Sequence, residues 1–272
     1  MKSKYSDFSV TTDMLSTLLR CLRARSNQVY FIRDSLLLLL FRQDASVSNK
    51  LGVTKSKTEL KSNILLSLTN INKKYGSHEV LNFGEWKIDN GIHWLKGGNG
   101  TGKSTLFRII SGQIPFKGAV TLNKINLKNE PIKFRSKISF AEAEPQYPLF
   151  VTGQELIDFY VETRKAESKQ AEDLAAYFEM TAFLDNKIGG YSSGMLKKLS
   201  LICAFIGSHD LYILDEPLIT IDVASADKLY QLIKENAAQG KSFLLSSHQE
   251  VSTDKLKLDT VFQIVDKQII QL

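Results

Sequence analysis

The chain predicts an α/β fold built on a mainly parallel, covered sheet, and three observations carry that reading. From residue 63 onward, short apolar strands alternate with segments of helical period. One strand, "GIHWLKG", runs directly into a glycine-rich loop and then a helix. A strand-rich start and a long helical block in the middle add an antiparallel β subdomain and a helical subdomain around the sheet.

In chain order, "NILLSLTNINKKY" and "EWKID" read as strands with turn residues between them. After the glycine loop, "KSTLFRIISG" reads as a helix closed by a glycine. A strand pair at 118–127 and a short strand "KISFA" follow, and residues 153–185 read as helical throughout. "YSSGMLKKLSLICAF" is a small-residue turn leading into an amphipathic helix. Strands return in "LYILDEP", "KSFLLSSH" and "DTVFQIV", with a helix near 223–237.

A composition change near residue 62 divides the chain into a basic extension, 1–62, and a main domain, 63–272, whose helical subdomain covers about 150–205. The extension holds 11 Lys/Arg against 5 Asp/Glu and so carries the whole net charge of +6. The neutral main domain lacks the clustered basic excess that a nucleic-acid surface needs, so no direct nucleic-acid partner is expected. Within the extension, Met14, Leu15, Leu18, Leu19 and Leu22 share one helical face beside Arg20, Arg23 and Arg25. It reads either as a basic amphipathic helix on an anionic membrane or partner, or as a poorly ordered extension. A transit peptide is disfavoured by its acidic residues.

The stretch "SLLLLLF" is far shorter than the roughly 20 residues that span a bilayer. Cys21 and Cys203 are far apart and without metal-ligand spacing, so the default compartment is the reducing cytosol.

"KGGNGTGKST" meets the pattern G-x-x-x-x-G-K-[ST] through Gly97, Gly102, Lys103 and Ser104. Around them Gly98, Asn99, Gly100, Thr101 and Thr105 complete a loop bare enough for backbone N–H groups to surround a phosphate at a helix N-terminus. Lys103 would reach the β- and γ-phosphates of a nucleotide and Ser104 would ligate Mg²⁺. A glycine turn without a ligand is the bland alternative, disfavoured by the strand before the loop and the helix after it. At the end of the apolar strand "LYIL", Asp215 is positioned to hold hydrated Mg²⁺ and Glu216 to act as general base on the attacking water. Taken alone, the same residues fit an ordinary strand end before a proline turn.

With these motifs in this order, the chain resembles the ATP-binding cassette (ABC) family over residues 63–272. The resemblance implies an ATPase that works as a head-to-tail dimer or paired with another such subunit. In that dimer Ser192, Ser193 and Gly194 of one copy close on the γ-phosphate held by the other. It also implies that Tyr75 stacks on adenine, that Asp222 lies in the loop crossing the dimer, and that His248 contacts the γ-phosphate. Tyr75 also fits a turn before Gly76, Asp222 a helix N-cap, and His248 a structural or capping histidine. Lys103, Glu216 and His248 are the expected catalytic set.

Two departures stand out. The segment Tyr191-Ser-Ser-Gly-Met195 differs from the family's LSGGQ at its first glycine and its glutamine. Where the family has a Gln after the strand, the register places Ala143, flanked by Glu142 and Glu144, with Gln146 three residues late. Glu144 is a substitute acceptor that would add negative charge. The resemblance implies the energising subunit of a transporter, docked through its helical block on a separate membrane-spanning polypeptide and so peripheral on the cytoplasmic face of the cell membrane. A soluble ABC ATPase acting on a protein or nucleic-acid assembly is the rival. The paired cassettes or long coiled coil of such relatives are not present in this sequence.

Overall fold

A computed structural model describes residues 64–247 and 254–272. Strands β1 (Ile64–Tyr75) and β2 (His78–Asp89) form a hairpin whose last pair is Tyr75 with His78. The second strand is longer than the sequence reading at its start, because the turn is only two residues long. β1 also pairs antiparallel with β4 (Lys117–Leu122), which continues to the short β5 (Ile125–Asn126), giving the order β2-β1-β4-β5.

The second sheet has six strands in the order β10-β9-β3-β8-β7-β6. Its members are β3 (Ile92–Lys96), β6 (Ile138–Ala141), β7 (Leu211–Leu214), β8 (Ser242–Ser247), β9 (Thr260–Val265) and β10 (Gln268–Gln271). The five strands from β9 to β6 are parallel, and only β10 runs antiparallel, at the edge. Every residue of β6, β7 and β8 is buried, as expected where both faces of a parallel sheet are covered.

Helix α1 (Lys103–Ile110) buries Leu106, Phe107, Ile109 and Ile110 in a core shared with both sheets, from Leu68 and Ile71 to Leu95 and Ile213. Phe107 meets Phe140 of β6 edge-to-face at 6.4 Å. The short α2 (Pro131–Arg135) precedes β6. Because β3, β6, β7 and β8 are parallel, the segments that follow them all leave from the same edge of the sheet, where ligands of open α/β sheets collect.

Between β6 and β7 lie α3 (Gly153–Arg164), α4 (Ser168–Tyr177) and α5 (Ser193–Phe205). The stretch 153–185 is therefore not helical throughout. Lys165 takes a left-handed conformation, φ 53°, and ends α3, with Ala166 N–H donating to Val161 O at 2.9 Å. A single 3-10 turn at Thr181–Phe183 follows α4 within that stretch, and another at Ile188–Gly190 lies just beyond it. At its start α3 is fixed by a reciprocal cap: Thr152 accepts from Glu155 N–H, and Glu155 accepts from Thr152 N–H.

The carboxyl end of α5 is satisfied from the neighbouring helices. The guanidinium of Arg164 donates to Cys203 O at 2.6 Å and Ile206 O at 2.8 Å and lies 4.7 Å from the Tyr160 ring centre. Gln170 donates to Phe205 O and accepts from Gly207 N–H. These bonds supply the last-turn carbonyls that a helix cannot satisfy itself. Phe205 stacks on Tyr212 of β7, and Tyr212 on Phe243 of β8, each at 5.1 Å, so α5 is locked onto the sheet. Helix α6 (Val223–Ala238) packs against β8. No helix among the described residues is long and apolar enough to cross a membrane.

Candidate active site

The glycine loop occupies 97–102, between β3 and α1. Gly102 stands at the helix N-cap with φ 104°, a left-handed conformation in which an added Cβ would lie 3.0 Å from Val80 Cγ1. No side chain caps this helix, so the free N–H groups of its first turn are left for a ligand. Residues 99–105 line a cavity of about 500 Å³ together with Val80, Ala143, Glu144, Glu216 and Ile219. Thr101 braces the loop by donating its hydroxyl to Gly98 O at 3.0 Å.

Lys103 is buried and donates to Gly97 O at 2.7 Å and Gly98 O at 3.1 Å, while its ammonium lies 3.5 Å from Glu216 Oε1. Asp215 and Glu216 follow β7 and are both buried. Ser246 of β8 ties them together: its hydroxyl donates to Asp215 Oδ1 at 2.5 Å and its oxygen accepts from Glu216 N–H at 3.0 Å. Glu216 holds φ at 45°, a region costly for a residue with a Cβ and common where a side chain is held for function. Glu216 faces the cavity; Asp215 lies behind its wall, against Ser246.

Beneath these carboxylates sits Lys197 of α5, 1% exposed. Its ammonium donates to Glu142 O at 3.0 Å, Ala143 O at 2.9 Å and Asp215 O at 3.1 Å. Burial draws its pKa down to about 8, against the opposing pull of Asp215, Glu216, Glu144 and Glu142. Burial also raises Glu142, which lies 3.7 Å from the Arg108 guanidinium. Sequence reasoning passed over Ser246 and Lys197. Their only signals were a serine in an apolar strand and a lysine within an otherwise apolar helix.

The remaining expected residues among the described ones do not line the cavity. Ser192 caps α5 by accepting from Met195 N–H at 3.2 Å, and Ser193 O accepts from the Thr220 hydroxyl at 3.4 Å. Gly194 approaches Thr220 so closely that a Cβ would fall 2.8 Å from its carbonyl oxygen. Asp222 is the N-cap of α6, accepting from Ser225 N–H at 2.8 Å, and it pairs with Lys198 at 2.9 Å. The Lys198 bond, with those from Ser225, holds its carboxyl well below the usual range. Tyr75 ends β1 about half exposed, with the Lys73 ammonium 4.4 Å from its ring centre. His248 lies outside the described residues.

The donor set fits a polyphosphate: an uncapped helix start, a left-handed glycine and one lysine converge on the cavity. Among the described residues no group of three or more His, Cys, Asp and Glu could cage a metal. Ser104 and Asp215 suit a cation that keeps most of its own water, as Mg²⁺ does.

A family model described as ABC transporter matches residues 85–219. The ABC-type transporter ATP-binding protein EcsA of Bacillus subtilis is 30% identical over 190 residues, 68% of this chain and 77% of the relative. The Nod factor export ATP-binding protein I of Sinorhizobium fredii is 29% identical over 212 residues, 74% of this chain, and the linearmycin resistance ATP-binding protein LnrL of Bacillus subtilis is 28% identical over 190 residues, 68% of this chain. The chain spans only 60% and 61% of the length of those two relatives. A solved structure titled as the ATP binding subunit of an ABC transporter superposes with a TM-score of 0.69 at 24% identity, over 76% of this chain and 90% of that one, and shows the shared fold. On the sequence likeness, the glycine loop and the sheet that presents it, the chain belongs to the ABC transporter family of ATP-binding proteins.

Proposed function

We propose that the chain binds and hydrolyses ATP as the energising subunit of an ABC transporter, driving it by closure and opening of a dimer. The observation that carries this reading is that an uncapped glycine-loop helix start and the buried Glu216 line one cavity. The N–H groups of residues 99–105 and the Lys103 ammonium hold the β- and γ-phosphates, and Tyr75 offers an exposed ring face to adenine. Glu216 takes the proton of the attacking water, and Lys103 supplies the positive charge beside it. Mg²⁺, held by Ser104 and Asp215, would neutralise charge on the phosphates. His248 takes the γ-phosphate contact that the family resemblance assigns to it.

Ser192, Ser193 and Gly194 stand outside the cavity of their own chain, which supports their use on the nucleotide of a second subunit. Asp222 lies in the same surface, through Lys198 and the neighbouring Thr220. The membrane partner is a separate polypeptide that selects the substance moved, and this chain sits peripherally on the cytoplasmic face. The names of relatives, which include Nod factor export and ribose import, support the transporter reading over a soluble assembly factor.

Glu216→Gln is the test. With ATP and Mg²⁺ it is expected to lose turnover, retain nucleotide and elute as a dimer on a sizing column. An unchanged monomer would count against the composite site. Purification from detergent-solubilised membranes is expected to recover an integral membrane protein in stoichiometric amount; a soluble assembly in its place would favour the rival class.

A further inference from the structure

We propose that Lys197 is a positioning residue for hydrolysis, holding the two peptides that precede the cavity-facing carboxylates Glu216 and Glu144 against helix α5. The proposal rests on the reading of Glu216 as the base.

The geometry is specific to the backbone. All three ammonium donors of Lys197 go to main-chain carbonyls, so the residue fixes the course of the chain rather than a side-chain rotamer. Asp215 O belongs to the peptide joining Asp215 to Glu216, whose N–H donates to Ser246. That peptide is gripped on both sides, by Lys197 at its oxygen and by Ser246 at its nitrogen. The next torsion is the φ of Glu216, held at 45°. A left-handed glutamate persists only where its surroundings over-determine it, and these two bonds do so.

The same construction recurs at a second residue of the cavity lining. Ala143 O belongs to the peptide joining Ala143 to Glu144, so the second carboxylate on the wall also follows a peptide bonded to Lys197. One ammonium thus sets both acidic groups relative to each other and to α5. Lys197 lies one turn from Ser192, Ser193 and Gly194, so the segment assigned to the opposite nucleotide and the base on the near nucleotide share one rigid support.

The test uses the full chain and the variants Lys197→Met and Lys197→Gln, with Glu216→Gln alongside. Steady-state ATPase kinetics, the Kd of a fluorescent ATP analogue and the melting temperature are measured for each. Folded Lys197→Met is expected to lose at least about tenfold in kcat, since a misplaced reacting group costs rate rather than affinity. Its KM and Kd are expected to stay within about threefold of wild type. Lys197→Gln, which keeps an amide donor, is expected to fall between, and it carries the same criteria if the Met variant does not fold. Unchanged kcat in the folded variants, or a loss confined to KM and Kd, overturns the proposal. Failure of both variants to fold assigns Lys197 to stability and also overturns it. Wild-type turnover in Glu216→Gln removes the base reading itself. Lost turnover there with unaffected Lys197 variants removes only the positioning role.

Discussion

Lys103 and Glu216 stand 3.5 Å apart, ammonium to carboxylate, and both line the same cavity. The lysine is at the same time satisfied by the Gly97 and Gly98 carbonyls, so it is already held over the phosphate loop. Lys103→Met removes the cation from the loop and the ammonium 3.5 Å from Glu216. Loss of two charge-assisted hydrogen bonds to phosphate, at about 1.5 kcal/mol each, puts the expected fall in ATP affinity at about 100-fold. Equilibrium binding of a fluorescent nucleotide checks it; affinity within a factor of about three would remove Lys103 from the phosphate site.

Gly102 and Gly98 make a paired test of the loop. Gly102→Ala forces a Cβ into a left-handed residue and against Val80, and is expected to cost about 1–2 kcal/mol or more of stability. An added Cβ on Gly98 meets nothing within 4 Å, and its backbone is not left-handed. Gly98→Ala is therefore expected to stay within about 1 kcal/mol of wild type. Urea denaturation of both variants decides it, and equal losses would contradict the loop geometry.

Asp222 separates capping from ion pairing. Asparagine preserves an N-cap acceptor for Ser225 N–H but gives up the charge opposite Lys198. Asp222→Asn is expected to cost under about 1 kcal/mol, because the carboxylate is solvent-exposed and such pairs are weak. Asp222→Ala is expected to cost about 1 kcal/mol more, the usual value of a lost cap. Equal stability of the two variants in chemical denaturation would deny the cap its role.

His209 supplies a pH signature. Burial, with Arg164 adding like charge, draws its pKa down to about 3, so the folded imidazole is neutral where the unfolded one, near 6.5, takes up a proton. The sign follows: its contribution is fully present above pH 6.5, and it declines as acidification protonates the unfolded chain. The limiting slope is about 1.4 kcal/mol per pH unit. His209→Phe, which keeps a ring beside Tyr212, is expected to flatten the melting curve series between pH 6.5 and 4 by that one-proton slope. Parallel pH dependence in variant and wild type would show that His209 does not titrate on unfolding.

The parts of the site that were legible in the sequence are those written locally. Residues 97–105 and the pair Asp215 and Glu216 are contiguous, and the strands before them have the apolar pattern of a buried sheet. Ser246 and Lys197 were not legible because their meaning lies in contacts across the chain: Ser246 with Asp215, 31 residues away, and Lys197 with Ala143, 54 away. The break in the helical block was hidden because a lysine, not a glycine, takes the left-handed turn at residue 165. For the same reason β10 went unread: Asp266 and Lys267, at φ 48° and 67°, form its hairpin turn without a glycine.

Helix α5 is clasped at both ends, by Arg164 and Gln170 at its carboxyl terminus and by Thr220 and the Asp222–Lys198 pair near its amino terminus. Mechanically it is a stiff lever: 13 residues long, about 20 Å. Arg164 thus joins the end of α3 to the carboxyl end of α5, through Cys203 O and Ile206 O, and makes the two helices one mechanical piece at that point.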